Sequence, residues 1–123
     1  MILRDSVYVQ IHRGYLTVKS RRILREITKQ CSGLTHPRTV LGDFNEVVET
    51  LREAFKELYR GKVIRPRLTA LVHIVPEVEG GFTPVELRGF RELAAQAGAV
   101  RVYLLTDHPV LTLKEQRDLA EFM

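Results

Sequence analysis

The sequence predicts an α/β domain with a mixed five-stranded sheet and two main helices on one face of that sheet. Short alternating segments near the N-terminus indicate strands joined by tight turns. Two later segments combine capping signals with apolar residues at helical spacing. Apolar runs flank the second helix, as in strand–helix–strand crossovers, which are right-handed in nearly all proteins. The predicted order is β-β-β-α-β-α-β-α, within one domain at residues 1–123.

The composition is that of an ordinary globular protein from a reducing compartment. The 123 residues are 45% hydrophobic and 28% charged, with a formal charge of +4, and a chain of this length can bury a core. Cys31 is the single cysteine, which excludes a disulfide framework and a cysteine-based zinc site. Met1–Asp5 has no long apolar stretch, and no apolar run approaches the roughly 20 residues that span a bilayer. We therefore expect a soluble, cytoplasmic domain without a signal peptide or transmembrane segment.

The first three predicted strands form a meander. Residues 6–12 alternate between apolar and polar side chains, which is the pattern of a half-buried strand. Arg13-Gly14 is typical of a tight turn, and residues 15–19 then predict a second, antiparallel strand. Ser20-Arg21 permits another turn, so residues 23–27 are predicted to form the third strand.

The clearest helix follows an irregular segment at residues 28–41. Asp43 is a favoured N-cap, and Glu46 three residues later predicts a capping box. Apolar side chains at helical spacing then form one stripe as far as Leu58, and Gly61 is placed to end the helix.

A buried strand and a second helix come next. Residues 68–75 are almost entirely apolar, as in a central strand, where we expect His73 to be a core histidine with satisfied hydrogen bonds. Thr83 and Glu86 give the capping box of a helix that has Pro at its first position and ends at Gly98.

A last strand is predicted at residues 100–105, before a short C-terminal helix. Thr112 and Glu115 repeat the capping-box pattern at the start of that helix. Gly89 interrupts the preceding helix at a cost of about 1 kcal/mol relative to Ala, which predicts the close approach of another backbone there. Only the C-terminal helix, within residues 113–122, is then left to cover the second face of the sheet.

Four motifs occur in the order found in one known family. They are HPRTVLGDFNEV at residues 36–47, RPR with an apolar strand at 65–75, GFTPVELR at 81–88 and AGAVRVYL at 97–104. Together they resemble segments of the MreB family, the bacterial actin homologues that determine rod shape. The element order is that of the ribonuclease H-like fold, which actin, Hsp70 and sugar kinases share. The resemblance implies an actin-like ATPase subdomain, truncated relative to the family and related to the cell-shape cytoskeleton.

The chain departs from that family where ATP would bind. The family has an Asp-x-Gly-Thr turn after the first strand, where small residues let backbone N–H groups approach phosphate. The matching positions here form a degenerate phosphate loop, Gln10, Ile11, His12 and Arg13. Where the family has Glu-Glu-Pro after the last strand, this chain has Asp107 and His108 as candidate replacements. The family's second phosphate loop and second domain lie beyond Met123. We therefore expect no catalytic residue, no cofactor and no ATPase activity.

The leading hypothesis is a non-enzymatic interaction module that binds a protein partner or itself, as a homodimer. The physical reason is that one face of the sheet is expected to be incompletely covered, and exposed apolar surface of this kind is typical of an interface with a partner or a second copy. The candidate contact residues are Tyr8, Tyr15, Arg21 and Arg22.

The second hypothesis is an enzyme with a residual nucleotide or phosphate-ester site. It requires Arg13, Asp107 and His108 to converge on one pocket.

The third hypothesis is a binder of nucleic acid or another anionic surface. Its basis is the basic cluster at residues 21–38, where only Glu26 opposes five cations. Such binding falls steeply with salt. Nucleic acid is the less favoured partner, because the same charges also protect an ordinary sheet edge. The chain has four histidines on separate elements without ligand spacing, so no metal site is expected.

Overall fold

A computed structural model describes residues 3–23 and 25–123 of the chain. Met1 and Ile2, which belong to the N-terminal stretch considered above, lie outside the described residues, as does Leu24 in the predicted third strand. No helix among the described residues is long and apolar enough to cross a membrane.

The order of elements along the described residues is the predicted one. The strands are β1 (Arg4–His12), β2 (Tyr15–Ser20), β3 (Glu26–Gln30), β4 (Arg67–Ile74) and β5 (Ala99–Leu105). The α-helices are α1 (Phe44–Leu58), α2 (Pro84–Ala97) and the short α3 (Leu113–Arg117), and turns of 3-10 helix occupy Ser32–Leu34 and Leu119–Phe122.

The five strands form one mixed sheet in the order β3-β2-β1-β4-β5. Strand β1 is antiparallel to β2 and parallel to β4, and β5 continues the parallel half. Helices α1 and α2 pack against the same face, where Val9 and Val72 of the sheet meet Leu51 and Phe90 of the helices in the main core. The predicted α/β class, the five-stranded mixed sheet and the placement of both main helices on one face are confirmed.

The segment after β5 covers part of the other face. Tyr8 and Leu71 on this face form a second apolar cluster with Leu111 and Leu119. Tyr8 is only 1% exposed as a result. The expectation that Tyr8 contributes to an exposed contact surface is therefore wrong, because the chain's own C-terminal segment occupies its outer side.

The third strand begins later than predicted, at Glu26. Residues 20–23 are held in a turn because Oγ of Ser20 accepts hydrogen bonds from the backbone N–H groups of Arg22 and Ile23, both at 3.0 Å. Pairing with β2 then extends to Gln30, which lies opposite Tyr15. The segment predicted to be irregular thus begins with three strand residues and includes a 3-10 turn.

The capping signals are confirmed in two helices and half confirmed in the third. Thr83 and Thr112 each form the full capping box at the starts of α2 and α3. At α1 the side chain of Asp43 accepts from the N–H of Glu46 at 3.1 Å, as predicted. The carboxylate of Glu46 instead accepts from Oγ of Ser32 at 2.7 Å, so a tertiary contact replaces the reciprocal half of this box.

The close approach of another backbone, predicted at Gly89, occurs at a different glycine. A Cβ at Gly89 would meet only a side-chain atom of Leu41, at 3.5 Å, so the predicted backbone approach at Gly89 is wrong. The close backbone approach is at Gly33, where a Cβ would lie 2.8 Å from the carbonyl oxygen of Asp43. Gly98 ends α2 with φ of +128°, as its position predicts.

Candidate functional site: the basic end of the sheet

The end of β1 and the turn after it carry the positions of the degenerate phosphate loop: Gln10, Ile11 and His12 lie in the strand, and Arg13 lies in the turn. Ile11 is fully buried in the main core. His12 stacks on Tyr15 with ring centroids 4.4 Å apart, and its Nε2 lies 2.9 Å from Oε1 of Gln10. Burial lowers the pKa of His12. The side chains at the end of β1 therefore contact one another and the sheet, and the lowered pKa disfavours the charged imidazolium form of His12, which would attract phosphate most.

Donors at this turn are engaged within the protein. The N–H of Gly14 donates to the carbonyl of Leu34 at 2.9 Å. The guanidinium of Arg13 donates to the carbonyl of His36 at 3.0 Å. A phosphate loop needs backbone N–H groups that point freely at the anion, and the loop after β3 takes that place here.

Asp107 and His108 follow β5 as predicted but face different surroundings. Asp107 is exposed and adopts a left-handed conformation with φ of +54°. The ring of His108 packs edge-on against Phe122, with centroids 5.6 Å apart. Among the described residues, no hydrogen bond or ion pair joins Arg13 to either residue. Direct hydrogen bonds or ion pairs within the described chain therefore do not link the three groups that the enzyme hypothesis requires.

The basic cluster at residues 21–38 is not one patch. Arg25 donates to the last carbonyls of α1, including that of Glu57 at 2.9 Å, and Lys29 pairs with the carboxylate of the same Glu57 at 2.5 Å. Arg38 pairs with a carboxylate of α2 at 3.2 Å. The expectation of a continuous cluster is wrong, because β3 and the loop after it carry these cations to different parts of the molecule.

A different basic surface forms at the end of the sheet where the parallel strands begin. Register places Arg4 beside Arg67 on adjacent strands, and Arg101 lies one strand further. Because β2 is antiparallel to β1, the turn that follows β2 reaches the same end and adds Arg21 and Arg22. Residues that are far apart in sequence are therefore neighbours here.

Three adjoining hollows of about 150, 400 and 380 Å³ mark this surface. The basic residues that line them define the basic end: Arg4, Arg21, Arg22, Arg52, Lys56, Arg65, Arg67 and Arg101.

The charge of the basic end is almost unopposed. Within residues 3–23 and 25–123, Arg52 is its one member that forms an ion pair, with Glu49. The acidic residue in the lining of the hollows is Asp5, which is only 4% exposed. Neighbouring cations without carboxylate partners repel one another, so this surface favours an anionic partner.

A buried network fixes the turn that carries Arg21 and Arg22. The carboxylate of Asp5 accepts hydrogen bonds from Oγ of Ser20 and, at 2.5 Å, from the hydroxyl of Tyr59. Burial, and next the hydrogen bond to Asp5, raise the pKa of Tyr59. The second carboxylate oxygen, Oδ1, is buried and accepts no hydrogen bond from the described residues. The network links β1, β2 and the end of α1 directly beneath the basic end.

Exposed apolar side chains lie among these cations. Val100 is 61% exposed and lines two of the hollows. Val63 and Ile64, in the loop directly before Arg65, are 101% and 53% exposed. Sequence reasoning missed this surface because its members come from five separate segments: β1, the turn after β2, α1, β4 with the loop before it, and β5. The signal available was that two predicted strands, β1 and β4, lie next to arginines at their starts.

The described part of the chain holds no group of three or more His, Cys, Asp or Glu side chains arranged to bind a metal ion. His73 is buried with both ring nitrogens in hydrogen bonds, so the prediction of a satisfied core histidine is confirmed. No protein-family model matches the chain, and no curated protein matches it significantly.

Proposed function

We propose that the chain is a non-enzymatic interaction module that docks an acidic protein partner on its basic end. In this proposal the module has the ribonuclease H-like, actin-like architecture that the sequence resembles, and works in the cytoplasm in a cell-shape or filament system. The observation that carries the docking proposal is the convergence of unpaired arginines from β1, β4, β5 and the turn after β2.

The architecture supports the kinship in a specific way. A sheet ordered β3-β2-β1-β4-β5, with antiparallel β2 and parallel β4 and β5, is the arrangement expected of that fold. The motifs that resemble MreB fall on matching elements: residues 36–47 enter α1, residues 65–75 include β4, and residues 97–104 enter β5.

The same geometry favours a binding role over nucleotide chemistry. The turn after β1 has no small residue except Gly14, whose N–H is already bonded to Leu34. One disrupted half-site would bind ATP poorly. We expect millimolar Mg-ATP to leave the amide NMR signals of Gln10–Gly14 and Asp107–His108 unmoved. Joint shifts of both groups would support the enzyme hypothesis instead.

A protein partner fits the basic end better than nucleic acid does. Arginine mixed with exposed apolar side chains is typical of protein interfaces, and Val63, Ile64 and Val100 supply the apolar part. Single-stranded nucleic acid is bound on aromatic side chains that stack with bases. No aromatic residue lines the hollows of the basic end in the described chain.

Fluorescence anisotropy with three probes tests the proposal. The probes are a short acidic peptide with interleaved leucines, a leucine-free peptide of equal charge, and a DNA duplex. We expect the leucine-containing peptide to bind most tightly. Arg67→Glu and Arg101→Glu should each weaken it about tenfold, or 1.4 kcal/mol, whereas Arg91→Glu on the exposed surface of α2 is the matched control.

Apolar contacts are tested separately from charge. Val100→Ser should reduce binding of the leucine-containing peptide and leave the leucine-free peptide unchanged, and Val85→Ser on α2 should change neither. Tighter binding of the duplex than of either peptide, lost steeply between about 50 and 200 mM salt, would make the protein a nucleic-acid binder. No binding of any probe would refute docking at the basic end.

A further inference from the structure

A further cavity, separate from the three hollows of the basic end, lies on the outer face of the sheet between β1–β2 and the C-terminal segment. Its volume is about 500 Å³, which is within the range of sites for small molecules. Tyr8 and Lys19, which are cross-strand neighbours, form the strand side. Leu113, Arg117 and Leu119 form the opposite side.

The charged side chains that line this cavity are all cationic. Lys19, Arg21 and Arg117 all line it, and none of its lining residues is acidic. Glu26 lies opposite Lys19 on β3. Even so, none of the three cations forms an ion pair with any residue that the structure describes. The cavity therefore concentrates positive charge without an internal counterion.

The remaining lining combines the uncharged polar side chains of Ser20 and Gln116 with an apolar part. Leu119 and Tyr8 are both about 1% exposed and belong to the cluster that docks the C-terminal segment. Leu113 is 64% exposed at the rim. An exposed leucine beside unpaired cations suits a ligand that has an apolar body and an acidic head.

We propose that this cavity binds a small amphipathic anion, an organic carboxylate or phosphate ester with an apolar chain or ring. The acidic head contacts Lys19, Arg21 and Arg117, and charge-assisted hydrogen bonds to the guanidinium groups orient it. The apolar body lies against Leu113 at the rim. This site is separate from protein docking at the basic end, although Arg21 borders both.

An amide NMR titration of the full chain tests the site with decanoate and decyl phosphate, each kept below its micelle concentration, and with decanol, kept below its solubility limit. We expect both anions to shift the signals of Lys19, Leu113 and Arg117 saturably. Decanol has the same apolar chain but no charge, and should bind about tenfold more weakly or less. The ratio between the two anions then identifies the preferred head group.

Variants locate the site. Arg117→Gln and Lys19→Gln should each weaken decanoate about tenfold, and Leu113→Asp should abolish binding by placing a negative charge at the rim. Arg91→Gln and Val85→Asp are the matched exposed controls on α2. Unchanged amide spectra in regions far from the cavity show that each variant remains folded.

Three outcomes would overturn the proposal: equal binding of decanol, shifts confined to other surfaces, or unchanged affinity in Arg117→Gln. Arg67→Glu separates this site from the basic end, because it should weaken the acidic peptide and leave decanoate binding intact. Either site can therefore fail while the other is upheld.

Discussion

The phenolic oxygen of Tyr8 lies 2.6 Å from Nδ1 of His73 on the buried outer side of the sheet. The same oxygen accepts a hydrogen bond from the N–H of Leu111 at 3.1 Å. A backbone carbonyl only accepts, so Nε2 of neutral His73 carries the proton that faces His108, and Nδ1 accepts from the Tyr8 hydroxyl. Nε2–H of His73 then donates to the carbonyl of His108 at 2.8 Å. These bonds tie β1 and β4 to the segment after β5, and they require the neutral Nε2–H tautomer of His73.

Tyr8→Phe removes two of these bonds and leaves the buried Nδ1 of His73 without a donor. We expect a loss of about 1–3 kcal/mol in the free energy of unfolding, measured by urea denaturation. Amide exchange at Leu111 should accelerate more than exchange in the main core. Tyr15→Phe is the control, since the Tyr15 hydroxyl forms no hydrogen bond with residues 3–23 or 25–123, and an equal loss in that variant would refute a specific role for the bonds of Tyr8.

Stability should depend on pH through His73. Burial lowers the pKa of His73 below its ordinary value of 6.5. The unfolded chain therefore binds a proton before the native state does, and the free energy of unfolding falls as pH drops from 6.5 towards the native pKa. His12, whose pKa is also lowered by burial, adds to the same slope.

Urea denaturation from neutral pH down to about pH 5 measures this slope. His73→Gln should flatten it while His36→Gln, at an exposed position, should not. The lowered pKa of Glu115, which accepts from the backbone of Thr112, contributes stability that is lost only below 4.5 and so lies outside this window. An unchanged slope in His73→Gln would contradict the assignment.

Alanine substitutions at two glycines should have opposite effects. Gly33→Ala places a Cβ against the carbonyl of Asp43, so the start of α1 must shift and we expect a loss of about 1–3 kcal/mol. Gly89→Ala meets only a side-chain atom of Leu41 at ordinary contact distance. It should add up to about 1 kcal/mol through helix propensity. Thermal unfolding of both variants checks the sign, and destabilisation by Gly89→Ala would show that α2 needs closer packing there.

Ser20→Ala should loosen the turn that carries Arg21 and Arg22. It removes a donor to buried Asp5 and the acceptor for the turn's N–H groups, at a cost of about 1–3 kcal/mol. Binding of the acidic peptide should weaken along with stability. Thr28→Ala is the control, because it removes a hydroxyl pair on the outer face, and equal effects of both changes on peptide binding would exclude a positioning role for Ser20.

Local sequence signals predicted much of the fold because they act over short distances. The capping residues Thr83 and Thr112 bond to backbone groups three residues away, so their effect does not depend on the rest of the molecule. The signals were less complete where a distant residue intervened. The carboxylate of Glu46 accepts a hydrogen bond from Ser32 instead of completing the capping box. The third strand begins later than predicted because Ser20 holds the residues before it in a turn.

The candidate sites were much less predictable. Arg21 and Arg22 were named from the sequence, but their partners Arg4, Arg67 and Arg101 join them only through strand register. Tyr8 was named as an exposed contact residue, and the docking of the C-terminal segment buries it.

The sequence by itself determined the α/β class, the order of elements and the face on which α1 and α2 pack, because periodicity and capping are encoded within each segment. Tertiary structure alone decided which cations are neighbours, and that hydrogen bonds join Tyr8 and His73 to the C-terminal segment. The physical reason is that charge and hydrogen-bond complementarity between segments depend on where the sheet places them. No spacing along the chain records that placement.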